Sequence, residues 1–246
     1  AMLTMAVDQA EEHGFTLAIT PTLVRPEVMR GTGFLNSHAD EIYRLREPDD
    51  QYLVGTSEVA LAGMHENEIL DLGNGPLRYC GWSSCYRREA GAAGKDTSGI
   101  IRVHQFDKVE IVQLSLPDVS YEALDGMVAH VEGIVRSLGL PYRILRLCGG
   151  DMSFTSALTY DFEVYSEAQK RWLEVSSVSN FESFQANRLH LRYRDANKKM
   201  QLAHTLNGSS LALPRIVAAL LENFQTPEGI RIPEVLIPYT GFDIIK

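Results

Sequence analysis

The stretch 85–112, CYRREAGAAGKDTSGIIRVHQFDKVEIV, decides how the rest of the chain is read. Its pattern predicts a strand, a polar glycine-containing loop and a second strand. Side chains alternate across a strand with a period of two. Arg87 and Glu89 are therefore expected on one face of the first strand, and Phe106, Lys108 and Glu110 on one face of the second. Cations, carboxylates and a ring on one open sheet surface suit a ligand with a phosphate, a flat base and an ammonium group.

The segments around this hairpin predict the rest of the fold. Upstream, residues 2–13 read as a helix stopped by Gly14, and 15–19 as a short strand. Pro26 opens a short helix. Residues 41–46 and 51–55 read as a hairpin turned at 48–50. Thr56-Ser57-Glu58 opens an apolar helical stretch, with Thr56 as its cap. Downstream, 120–138 is an amphipathic helix capped by Ser120 and ended by Gly139. Residues 142–147 read as a strand, and 160–165 with 172–178 as a hairpin. The run 189–194 suggests a strand. Residues 200–206 read as a strand leading into a turn at Asn207-Gly208-Ser209-Ser210, with a helix beyond. Hairpins mixed with helices, without βαβ alternation, indicate one α+β domain over 1–246, with a mainly antiparallel sheet flanked by helices.

Bulk properties narrow the function. The chain has 246 residues, 45% hydrophobic and 22% charged, the balance of a soluble globular protein. It has no apolar run of the roughly 18 residues that would predict a membrane span. The opening AMLTMAVDQAEEHGF lacks the basic and apolar regions of a secretory signal. Cys80, Cys85 and Cys148 form an odd set without zinc-type spacing, so reduced thiols in a cytoplasmic protein are expected. The net charge of -9 argues against a blanket nucleic-acid coat but leaves room for a local basic patch.

Walker, G-x-S-x-G, H-E-x-x-H and G-x-G-x-x-G motifs are missing, which removes several enzyme classes. What remains is polar chemistry on strands. Arg87 is either a bidentate phosphate grip or a surface arginine paired with Glu89. Phe106 is either a stacking platform or core. Glu110, between Val109 and Ile111, is an edge charge or the counter-ion of a ligand cation. The run EVSSVSN, 174–180, offers a carboxylate and hydroxyls suited to Mg²⁺. Strict alternation puts Glu174 and Ser177 on opposite faces, so joint binding requires a bulge. Arg215, one turn into the last long helix, is placed to reach a phosphate near that helix's N-terminus. His104 and His204 lack metal spacing and read as structural.

Together these segments resemble the catalytic domain of the seryl-tRNA synthetases, class II aminoacyl-tRNA synthetases, from about Gly14 to the C-terminus. Gly14-Phe15 through Pro21 looks like the first class II motif, implying a homodimer with Pro21 near its interface. Thr56-Ser57-Glu58 looks like the T-x-E serine loop, and 85–112 like motif 2, with R-x-E, the GKDT loop and HQFDKVE. EVSSVSN with Phe184-Gln185-Ala186 resembles a further family signature. HTLNGS, 204–209, with Arg215 looks like motif 3.

The resemblance implies ATP and L-serine as substrates, seryl-adenylate as intermediate and serine tRNA as acceptor. It implies that Arg87 grips the α-phosphate and the serine carboxylate. Glu89 would contact the adenine amino group, and Phe106 and Arg215 would sandwich the base. Arg88, Val103, Val175 and Ser176 complete the implied nucleotide set. Glu174 and Ser177 would hold Mg²⁺, with no zinc expected. Thr56, Ser57, Glu58, Glu110, Thr205, Asn207 and Ser209 would surround the serine. Full-length relatives begin with a coiled-coil arm that holds the tRNA, and this sequence has no heptad run. Transfer to tRNA is accordingly expected to be weak. The alternatives are a paralogue passing activated serine to another acceptor and a non-catalytic interaction homologue.

Overall fold

The computed structural model describes residues 1–37, 39–90 and 99–246. The expected GKDT loop, 94–97, lies outside the described residues. Among the described residues the dominant element is a seven-stranded sheet. Its strands are β1 (Thr16–Ala18), β2 (Leu77–Tyr86), β3 (Gln105–Ser115), β4 (Tyr142–Arg146), β5 (Leu158–Ser166), β6 (Arg171–Glu182) and β7 (His204–Ala212). The spatial order is β1-β2-β3-β7-β6-β5-β4, and every pair is antiparallel except β1–β2. The α+β, mainly antiparallel architecture read from the sequence is the one observed.

The two faces of the sheet have different coverings. The helices α1 (Met2–Glu12), α4 (Ser120–Ser137) and α6 (Leu213–Asn223) lie on one face. Leu3, Met5, Leu124, Val131, Ile134 and Ile216 pack there against Val109, Ile111, Val178 and Leu206. Helical spacing puts those apolar residues on one stripe, and each fully buried side chain contributes about 1.5–3 kcal/mol. On the other face, α3 (Glu58–Gly63), α5 (Phe184–Leu189) and a small sheet of Ile69–Leu70, Arg192–Arg194 and Met200–Leu202 cover only part of the surface. Leu61, Ala186 and Leu189 pack there against Val112 and Leu114. The polar residues of β3 share that face but lie beyond this cluster, at the open part of the sheet.

Two bulges set which residues face the opening. In β6, Ser176 pairs with Phe162 and Glu174 with Glu163, leaving Val175 as an extra residue. In β7, Ser209 pairs with Glu110 and Leu211 with Val109, leaving Ser210 extra. An extra residue shifts the alternation by one. Val175 and Val178, three apart, consequently share the core face, as do Leu206 and Leu211.

The structure corrects several local expectations. Strand β2 stops at Tyr86, so Arg87 and Glu89 lie beyond it; Glu89 is left-handed, with φ +51°. Asn207-Gly208-Ser209-Ser210 is not a turn but part of β7, held between β3 and β6, and α6 starts only at Leu213. Residues expected as strand at 189–191 end a helix instead, terminated by left-handed His190 at φ +55°. The 41–55 hairpin reduces to one bridge between Arg44 and Tyr52, because Tyr52–Leu53 pairs with Leu23–Val24. Ser120 is the first residue of α4; its hydroxyl donates to the Pro117 carbonyl at 3.1 Å. Among the described residues no helix is long and apolar enough to cross a membrane.

Candidate active site

Two cavities open on the uncovered part of the sheet, and Arg87 is the residue that lines both. The first, about 120 Å³, is bounded by Glu89, Arg102, Val103, Phe106, Glu174 and Arg215 among others. The second, about 260 Å³, is bounded by Gly33, Phe34, Glu58, Ser177, Ser179 and Asn207 among others.

Arg87 is held where the β2 ladder has ended. Its N–H donates to the His104 carbonyl at 3.0 Å, and the Arg88 N–H donates to the Glu41 carbonyl at 2.8 Å. The Arg87 guanidinium donates to the Gly55 carbonyl from Nε and Nη2, both at 3.4 Å. Its Cζ stands 5.4 Å from the centroid of the Phe106 ring, a cation–π distance. Arg102 donates to the Glu89 carboxylate at 2.9 Å. Arg215 donates to the Glu174 carbonyl at 2.5 Å and lies 3.8 Å from its carboxylate. Burial pulls the Arg215 guanidinium below its ordinary pKa; Glu174 opposes this, while Arg102 and Arg87 add to it. Three guanidiniums converging beside an aromatic ring make a site for a polyanion with a flat base.

The second cavity is bounded by the Glu58 carboxyl, which belongs to a hydrogen-bonded chain of buried polar groups that reaches Glu110 behind the cavity wall. Thr205 donates to the Gln185 side-chain carbonyl at 2.8 Å, and the Gln185 amide donates to Glu58 at 2.7 Å. The Asn207 amide donates to Glu58 at 2.6 Å and to Glu110 at 3.0 Å. Beneath them Glu110 pairs with Lys108 and accepts from the Ser209 hydroxyl at 3.1 Å. Burial first, and then the charge of Glu110, raise the Glu58 carboxyl to about 7. Two acids with one shared amide between them are arranged to receive a small cation.

The bulge at Val175 bears on metal binding. It puts Glu174 and Ser177 on the same side of β6, beside Asp161, whose partner in the ladder is Ser177. Asp161 has a buried Oδ1 with no hydrogen-bond partner among the described residues. Its carboxyl is raised to about 6, first by burial and then by Glu174. Two outward-facing oxygens and a carboxylate behind them fit a hard cation that also takes phosphate oxygens. Among the described residues no group of three or more His, Cys, Asp or Glu is placed to hold a metal by itself.

Most of the expected site residues are brought together, but not all. Ser57 turns away, its hydroxyl donating to the Gly81 carbonyl at 3.3 Å. Thr56 is not the cap of α3 as expected, because Ser57 is the residue that precedes the helix; the Thr56 hydroxyl accepts from the Glu58 N–H at 3.3 Å. Thr205 acts through Gln185. Val175 and Ser176 line the first cavity, and Ser176 donates to the Ser209 carbonyl at 2.5 Å. Arg88 lines neither cavity. Sequence reasoning missed Arg102 and gave no site role to Gln185 or Lys108. Gln185 left a signal in the Phe184-Gln185-Ala186 signature, and Lys108 in its period-two alignment with Phe106 and Glu110.

Known proteins are similar to this chain in sequence and fold. The tRNA synthetase class II core domain (G, H, P, S and T) matches residues 43–224. The serine–tRNA ligase of Bifidobacterium longum is 62% identical over 242 residues, covering 98% of this chain and 56% of the relative. That of Mycolicibacterium vanbaalenii is 52% identical over 245 residues, covering 99% and 58%. This chain thus spans about half the length of the curated relatives it matches. Among solved structures, seryl-tRNA synthetase from Pyrococcus horikoshii complexed with ATP superposes with a TM-score of 0.94 at 43% identity, covering 99% of this chain and 55% of that one. The cytoplasmic serine–tRNA ligase of Naegleria fowleri in complex with AMP gives 0.94 at 35% identity, covering 99% and 58%.

Proposed function

The chain belongs to the class II tRNA synthetase core-domain family, and on that premise we propose that residues 1–246 act as one catalytic domain that activates L-serine with ATP and passes it to serine tRNA. The observation that carries this reading is the position of Arg87 at the junction of the two cavities. One holds the nucleotide and the other the amino acid, so the α-phosphate and the serine carboxylate meet at one guanidinium.

The first step needs no protein nucleophile. A serine carboxylate oxygen attacks the α-phosphorus, an O–P bond forms, and the bond to the β-phosphate oxygen breaks, releasing pyrophosphate. Arg87, Arg102 and Arg215 spread the developing charge, and Phe106 stacks the adenine. Glu58 and Glu110 receive the serine ammonium beside Asn207. Glu174 and Ser177 would hold a Mg²⁺ ion, which would supply further positive charge to the phosphates. In the second step the 3′-terminal ribose hydroxyl of the tRNA attacks the seryl carbonyl. The C–O bond to AMP breaks, and the hydroxyl proton is released.

The working unit is a homodimer in the cytoplasm. Support for the dimer comes from the sheet edge: β1 ends at Ala18, and the next residue, Ile19, is 96% exposed, with Leu17 and Leu23 also exposed nearby. An exposed edge with apolar side chains favours a second copy.

The direct test is ATP–pyrophosphate exchange across the twenty amino acids. Exchange with serine well above all others is expected. No amino-acid-dependent exchange, or exchange led by another amino acid, would refute the assignment.

A further inference from the structure

Lys108 has no part in the chemistry above, yet it is among the most confined charges in the molecule. Its side chain is 6% exposed and that of its partner Glu110 is fully enclosed. A buried ion pair is weak evidence of stability, because apolar residues often serve as well or better. What distinguishes this pair is a third group. The Lys108 ammonium also donates to the Ser209 hydroxyl oxygen at 3.2 Å. That same hydroxyl donates its hydrogen to the Glu110 carboxylate at 3.1 Å. The contact depends on the Ser210 bulge, since Ser209 is in register with Glu110 while Lys108 is in register with Ala212.

We infer that Lys108 determines amino-acid specificity by fixing Ser209 as a hydrogen-bond acceptor toward the ligand. The inference rests on the reading of the adjoining cavity as the amino-acid site. A serine hydroxyl has one hydrogen and two lone pairs. Here the hydrogen is committed to a carboxylate that can only accept. One lone pair is committed to an ammonium that can only donate. Neither neighbour can exchange roles, so the hydroxyl cannot turn its hydrogen toward a ligand. Ser209 and Lys108 line the first cavity, and Asn207, two residues before Ser209, lines the second; a lone pair left at that boundary rewards a ligand that brings a hydrogen, as the hydroxyl of serine does. Alanine leaves that lone pair without a ligand hydrogen. Lys108 is in this sense a positioning residue that acts through Ser209.

The test compares kcat/KM for serine and for alanine in ATP–pyrophosphate exchange, with ATP affinity read separately by calorimetry. Lys108→Met should lower the serine-over-alanine ratio by about tenfold or more, whereas any loss of ATP affinity from removing a cation that lines the first cavity falls on both amino acids alike. Lys108→Arg, which keeps a donor and a charge, should restore most of the ratio. A Lys108→Met protein that binds ATP normally and keeps the wild-type ratio overturns the inference. Removing the counter-ion of a buried carboxylate can prevent folding, so the wild type is also assayed with β-fluoroalanine. That analogue fills the hydroxyl position but has no hydrogen to donate there. Rejection as strong as that of alanine supports the inference, and exchange near the rate of serine overturns it. A wild type without serine-dependent exchange would defeat the amino-acid reading itself.

Discussion

Glu58 and Glu110 are both sealed from solvent and share one donor: the Asn207 amide lies 2.6 Å from the first carboxylate and 3.0 Å from the second. They come from distant parts of the chain, one from the first turn of α3 and the other from the middle of β3. Their mutual repulsion in a dry site is relieved by Lys108 on one and by a proton on the other, since the Glu58 carboxyl is raised to about 7.

A first prediction concerns serine binding. An ammonium ligand favours ionised Glu58, so binding below neutral pH must expel the Glu58 proton. The serine KM should fall as pH rises toward 7, by up to about tenfold per pH unit on the acid side, and level off above it. Glu58→Gln should bind serine more weakly and lose this slope. Exchange assays from pH 5.5 to 8 with saturating ATP would check it; a flat wild-type profile would contradict it.

Stability should carry the same signature. Glu58 has its folded pKa near 7, above the ordinary 4.5. The folded state therefore holds more protons than the unfolded chain between these values. The contribution is fully present below 4.5 and is lost as pH rises through about 7. In the ligand-free protein, Glu58→Gln should flatten the decline of Tm over that window.

His130 acts in the opposite sense. It is buried on α4, accepts from or donates to Ser210 at 2.9 Å, and is lowered to about 4, first by burial and then by His13. It is therefore neutral in the fold, and its contribution is present above 6.5 and lost as pH falls toward about 4. His130→Gln should lower Tm at neutral pH but weaken its further fall between 6.5 and 4, as read by thermal melts.

At the junction, Arg87→Ala should reduce serine-dependent exchange by about a hundredfold or more, because one guanidinium serves both reacting groups. Arg87→Lys should recover little, since a point charge cannot reproduce the fork. Phe106→Ala should instead raise the KM for ATP by about tenfold and leave the serine KM nearly unchanged. Steady-state kinetics separate the two patterns.

The dimer is checked at the sheet edge. Ile19→Asp places a charge where an apolar residue is 96% exposed. Light scattering should show the wild type as a dimer and this variant shifted toward monomer. A wild-type monomer at micromolar concentration would refute the interface.

Sequence alone determined the fold class, the two long antiparallel hairpins of the main sheet and most of the residues around the first cavity, but few of those around the second. Periodicity reports a strand's faces wherever the ladder is regular, and so Phe106, Lys108 and Glu110 were legible together. Tertiary structure decided where that regularity breaks. Arg87 and Glu89 lie beyond a strand end marked by a left-handed glutamate, which no local preference signals. Asn207-Gly208-Ser209-Ser210 has turn composition, yet ladders on both sides extend it. A Cβ at Gly208 would lie 3.2 Å from the Val178 side chain, so a larger residue there would need Val178 to shift. The bulges at Val175 and Ser210, which bring Glu174 beside Ser177 and Ser209 within reach of Lys108, depend on how neighbouring strands align. Bulges and strand ends are set by partners distant in sequence, so they were settled only when the sheet assembled.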